Sequence, residues 1–249
     1  MAGKVKGSIG TALAVFFAFI ALTAAAAAMY RGSSARVAAD VIYFVGAVAV
    51  VGLALPLWLA ARGRLTLPVW PSPGAGDNAL GVLAVVFLFA RVEMLVAIFA
   101  EGRDWGLALA TFLGPAALNL AAVTATIGVL LPAFKRRMPV AAAAVLAALA
   151  WVVFHLARTL SFSTRDIPEL IVVAVFGLGY ALYYFWSRSL LLTAVLQHIV
   201  ATTALVYGRE YAFGAGEASL YFSLAAVGAY LIFVTLRRRT YAAQRFTHF

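Results

Sequence analysis

The sequence predicts an all-α, polytopic integral-membrane bundle of about eight transmembrane helices, with both termini cytoplasmic. Three observations carry this reading. Of 249 residues, 65% are hydrophobic and only 11% are charged, whereas a soluble domain carries about 25% charged residues; the mean hydropathy is +1.00. The apolar residues gather in runs of roughly 18 to 25, long enough to cross the hydrocarbon core as helices. None of the chain shows the alternating segments of about ten residues that a transmembrane barrel requires.

The first run, 9 to 30, follows Lys4 and Lys6 and ends in TAAAAAMY. It exceeds the apolar region of about 7 to 15 residues typical of a cleaved signal, so it is expected to remain as the first helix. The second covers 37 to 60, and RGRLTLPVWPSPGAGDN at 62 to 78, with three prolines and three glycines, breaks the helix after it. The remaining runs are 79 to 100, 105 to 132, 139 to 160, 168 to 186, 190 to 207 and 218 to 236. Alanine-rich tracts around 24 to 28 and 141 to 150 suit close helix packing, because small side chains let backbones approach where no water drives association. With neither a repeat of fixed period nor paired interrupted helices, the usual pointer to a transporter site is missing. The expected organisation is one integral-membrane domain over residues 1–249.

The net charge of +10 is a topology signal, and no nucleic-acid partner is expected. With the N-terminus inside, the inner segments hold Lys4, Lys6, Arg62, Arg64, Lys135, Arg136, Arg137, Arg188, Arg237, Arg238, Arg239 and Arg245. The outer segments hold only Arg31, Arg36, Arg103, Arg165 and Arg209, with Arg158 near the outer end of its helix. That asymmetry places both termini in the cytoplasm. The expected location is the cytoplasmic membrane of a prokaryote, with membrane lipid as the surrounding partner. No cysteine occurs, so disulfides, thiolate metal sites and a cysteine nucleophile are excluded.

Ionisable groups inside a bilayer are costly and are functional candidates by default. They are Asp40, Arg91, Glu93, His155, Arg158 and His198, with Asn119, Thr124 and Thr126 adding neutral polarity to the fourth run. Trp151, His155 and Arg158 share one helical face by their spacing, and His198 and Thr202 share another. Two helices therefore each offer an imidazole able to act as hydrogen-bond partner, base or metal ligand. Asp40, three residues before Tyr43, reads as structural or interfacial, and the aromatic cluster YALYYFW at 180 to 186 reads as an interfacial belt with packing duties.

The stretch VFGLGYALYYFWSRSLLLTAVLQHIVATT, 175 to 203, carries Gly177, Gly179, Tyr183, Tyr184, Ser189, Leu190 and His198. In these positions it resembles the later motif of the CPBP family, the CAAX proteases and bacteriocin-processing (Abi) enzymes, with Thr202 where the family has asparagine. FKRRMPVAAAAVLAALAWVVFHLA, 134 to 157, resembles the family's Phe-x-x-x-His motif, with Trp151 for the phenylalanine and His155 for the histidine. The resemblance covers roughly residues 105–205. The family's Glu-Glu-x-x-x-Arg-Gly falls on AVTATIG, 122 to 128, where Ala122 and Val123 replace the glutamates, Ile127 replaces the arginine and Gly128 is kept.

The resemblance implies an intramembrane endopeptidase acting on membrane-associated peptides or proteins, in which a glutamate activates water and histidines bind a divalent metal such as zinc or steady the oxyanion. Alanine and valine accept no proton, so general-base activation of water needs another carboxylate. Glu93 on the preceding helix is the candidate, completing a catalytic set of Glu93, His155 and His198 supported by Trp151, Arg158 and Thr202. The alternative is a non-catalytic descendant, a membrane scaffold or immunity-type binding protein. A proton-linked carrier using Asp40, Glu93 and the histidines ranks third.

Overall fold

The computed structural model describes residues 9–32, 35–70, 115–160 and 167–207, and among these residues every regular element is helical. Helix α1 runs Ile9–Arg31, α2 Arg36–Ala61, α3 Ala116–Lys135, α4 Val140–Thr159, α5 Ile167–Ser187 and α6 Leu190–Tyr207. Helices α1 to α5 are each long and apolar enough to cross a membrane. The runs predicted at 79 to 100 and 218 to 236, and the start of the one at 105 to 132, lie outside the described residues.

Helix α3 is the axis of the bundle. It packs against each of the other five helices, and 78% of its apolar window is buried, against 28 to 44% in α1, α2, α4 and α5. The outer helices turn Phe17, Phe44, Leu57, Leu149, Ile171 and Val175 outward, the surface expected of helices solvated by acyl chains. Small residues set the closest approaches. A β-carbon on Gly52 of α2 would lie 2.7 Å from the Ala121 β-carbon of α3, and one on Gly177 of α5 would lie 2.9 Å from Trp151 Cβ and 3.1 Å from Ala148 Cα of α4. The alanine-rich tract behaves as its composition predicts, with Ala143, Ala144, Ala147, Ala148 and Ala150 all buried.

Two helices depart from ideal winding. Residues Val41–Ala54 of α2 and Thr124–Gly128 of α3 are π-helical, a conformation usually confined to single bulges at functional sites. The fourth predicted span stops at 132, but α3 continues through Pro132 to Lys135. A proline has no N–H to donate back along the helix. The Tyr184 hydroxyl of α5 instead donates to the carbonyl of Gly128, at 3.4 Å. A neighbouring side chain thus satisfies the backbone in a setting without water.

The aromatic cluster packs inward more than a belt would. Tyr180, Tyr183, Tyr184 and Trp186 are all buried, and Tyr180 meets Trp151 edge-on with ring centroids 5.4 Å apart. At the predicted outer end, Tyr30 hydrogen-bonds Asp40 and joins α1 to α2. Arg31 there caps the C-terminus of α4, donating to the carbonyls of Thr159 and Leu160, where a helix leaves acceptors unsatisfied and favours a cation.

Candidate functional site

Most of the buried hydroxyls spend their hydrogen bonds within their own helix. Thr124 donates to Leu120, Thr126 to Ala122, Thr193 to Ser189 and Thr23 to Phe19, each a carbonyl four residues back, the usual fate of a helical threonine. Among the described residues, three buried polar side chains with longer reach remain in the α3–α6 layer, namely Asn119, Gln197 and His198.

His198 lies in the middle of α6 with 8% of its surface exposed. The Asn119 side-chain amide of α3 donates to its Nδ1 at 2.9 Å. An Nδ1 that accepts carries no proton, so a neutral ring holds its proton on Nε2 and presents a donor there. Asn119 precedes Ala122 by three residues and Val123 by four, so all three share one face of α3. The amide therefore sits one helical turn from the positions where the resemblance would place the paired glutamates. Ala122 is 1% exposed and Val123 0%, so both are packed into the core. The amide that meets this histidine comes from another helix. Gln197 Oε1 is buried without a hydrogen-bond partner among the described residues.

His155 lives in different surroundings. It stands in the last turns of α4, with 28% of its side chain exposed, and its Nε2 lies 3.1 Å from Glu169 Oε1 in the first turn of α5. Glu169 is itself 65% exposed. Trp151, one turn earlier, is buried against Phe154 and Tyr180, whereas Arg158 is exposed. Each histidine is thus held by a partner of its own. Glu93 and the side chain of Thr202 lie outside the described residues.

Sequence reasoning missed the two partners. Asn119 read as background polarity, and Glu169 was not among the candidates. A signal existed for each: Asn119 is one turn from the vacant motif positions, and Glu169 follows His155 by 14 residues across a short helix–helix connection. Among the described residues, no three His, Asp or Glu side chains converge as metal ligands.

The motif-bearing helices α3 to α6 follow one another in the chain, with a basic α3–α4 turn and a mid-helix histidine in α6. Residues 124–204 match the family model of the type II CAAX prenyl endopeptidases, Rce1-like. This Rce1-like segment begins inside the π-helical turn of α3, spans both histidines, and falls within the 105–205 region of the CAAX-protease resemblance. No curated protein and no solved structure matches the chain.

Proposed function

We propose that this CAAX-protease-like membrane protein binds a membrane-associated peptide at its Rce1-like segment without hydrolysing it. The observation that carries this reading is the replacement of the family's carboxylates by Ala122 and Val123, both packed in the core beside the Asn119–His198 hydrogen bond. Hydrolysis needs a proton acceptor within reach of the attacking water. His198 Nδ1 already accepts from Asn119, and its Nε2–H is a donor suited to a carbonyl oxygen. Such a ring polarises and holds an amide. It does not take a proton from water.

The test uses the full chain in proteoliposomes and a farnesylated CAAX-type peptide carrying a fluorophore and quencher on either side of the prenylated residue. The expected result is saturable binding with no release of fluorescence above that of empty vesicles, and about tenfold weaker binding by His198→Ala, the loss expected for one hydrogen bond in a buried site. Cleavage by the wild-type protein that disappears in Glu93→Gln would overturn the proposal and restore the peptidase built on Glu93, His155 and His198. Peptide binding indifferent to His198→Ala would overturn it as well.

A further inference from the structure

The end of the bundle opposite His155 holds a cavity of about 390 Å³ that the histidine chemistry does not use. It lies where the Thr66–Val69 segment after α2, the α3–α4 turn and the α5–α6 turn meet. The segment is tied down by three hydrogen bonds, from Leu190 N–H to Pro68 O at 2.9 Å, from Leu191 N–H to Val69 O at 3.2 Å and from the Ser189 hydroxyl to Val69 O at 3.0 Å. The wall is therefore built, not draped.

The lining divides by chemistry. Lys135, Arg136 and Arg188 bring three cations, Thr66 and Tyr184 bring hydroxyls, and Pro68, Leu131, Pro132 and Phe185 supply apolar surface. Among the described residues, no carboxylate lines the cavity. Local contacts hold two of the cations in place: Arg136 donates to the Thr66 hydroxyl, and Lys135 Nζ stands 4.6 Å from the centre of the Phe185 ring. Arg188 sits in the turn between α5 and α6 with φ at +50°, a left-handed backbone that a residue with a β-carbon adopts only when its surroundings fix it. Three positive charges concentrated within one cavity call for an anion with several acceptor oxygens.

We propose that this cavity binds the phosphodiester headgroup of an anionic phospholipid, with an acyl chain lying along its apolar wall. Position decides between a lipid and a free phosphate. The cavity sits at helix ends, in the segments whose Lys and Arg excess marks the cytoplasmic side, and an intramembrane protein's basic pocket at that depth faces lipid headgroups. The apolar half of the lining would be wasted on an inorganic ion. The site is separate from the Asn119–His198 contact, so it stands or falls independently of the peptide-binding proposal.

Native mass spectrometry of the full chain in detergent tests this, with phosphatidylglycerol, phosphatidylcholine and inorganic phosphate as probes. Phosphatidylglycerol is expected to remain bound where phosphatidylcholine and phosphate do not. Lys135→Gln/Arg188→Gln is expected to weaken phosphatidylglycerol about twenty-five-fold, at about fivefold per cation. Arg62→Gln/Arg64→Gln, which removes equal charge at the same end away from the cavity, should change it less than twofold. Equal retention of the two lipids by the wild-type protein overturns the proposal whether or not the variants fold. So does equal loss in both double variants, which would reduce the effect to bulk charge. Phosphate competing as well as phosphatidylglycerol, at the same residues, would reassign the site to a free anion.

Discussion

Two helix seams of this bundle each carry a histidine, and they are built on opposite principles. Between α3 and α6 the polar contact lies inside, where the Asn119 amide meets a nearly buried His198 ring. Between α4 and α5 the inside is apolar: Gly177 lets the helices close on Trp151 and Ala148, and the His155–Glu169 pair sits at the end where both side chains reach outward. A hydrogen bond gains value as water is excluded, and an unmade one costs more there. Two histidines, each carried by its own motif, therefore differ in what they do for the fold.

The largest effect is expected where packing alone holds a seam. Gly177→Ala puts a β-carbon against the Cα of Ala148 and the Cβ of Trp151, backbone-level contacts that no rotamer change relieves. A cost toward the upper end of about 1 to 3 kcal/mol follows from overpacking. Two residues on, a β-carbon on Gly179 meets nothing within 4 Å among the described residues, so Gly179→Ala should leave stability unchanged or raise it by up to about 1 kcal/mol. Unfolding of the two variants in mixed micelles reads the contrast directly. Equal destabilisation would mean that α4 and α5 do not approach as closely as Gly177 requires.

Next comes the buried polar seam. Asn119→Ala leaves His198 Nδ1 in the core without its donor, at a cost of about 1 to 2 kcal/mol, moderated because unfolded helices in a membrane also find partners. Removing both groups, as Asn119→Leu/His198→Leu, should cost less than the sum of the single changes, since neither is then left unpaired. Additive losses in that cycle would deny that the two side chains are coupled. They would also leave the position of the His198 ring, and with it the peptide-binding proposal, without support.

The contrast between the seams also explains what the sequence could and could not reveal. Hydropathy locates α1, α2, α4, α5 and α6 to within a residue or two, because the cost of exposing a polar backbone to hydrocarbon leaves a long apolar run little choice. It places the end of α3 three residues short, at Pro132, because the helix there depends on a hydroxyl from Tyr184, 52 positions away. The small residues of α4 announce close packing but not its partner. The rotation that turns Tyr180, Tyr183, Tyr184 and Trp186 inward follows from that partner, and so the cluster reads as a belt. His198 is legible as buried, since its neighbours are apolar. Asn119 as its donor is not, because the pairing depends on how α3 and α6 cross.

The smallest expected effect belongs to the other histidine. Glu169 is 65% exposed and His155 28%, so water and salt compete for both groups, and exposed pairs of this kind contribute little. Glu169→Gln preserves length and an acceptor oxygen while removing the charge. It is expected to cost less than about 0.5 kcal/mol, and the part due to charge should vanish as ionic strength rises and the Debye length falls below about 10 Å. A loss above about 1.5 kcal/mol that persists in high salt would show that the pair is shielded from solvent. It would then place His155 in the same physical class as His198 and erase the difference between the seams.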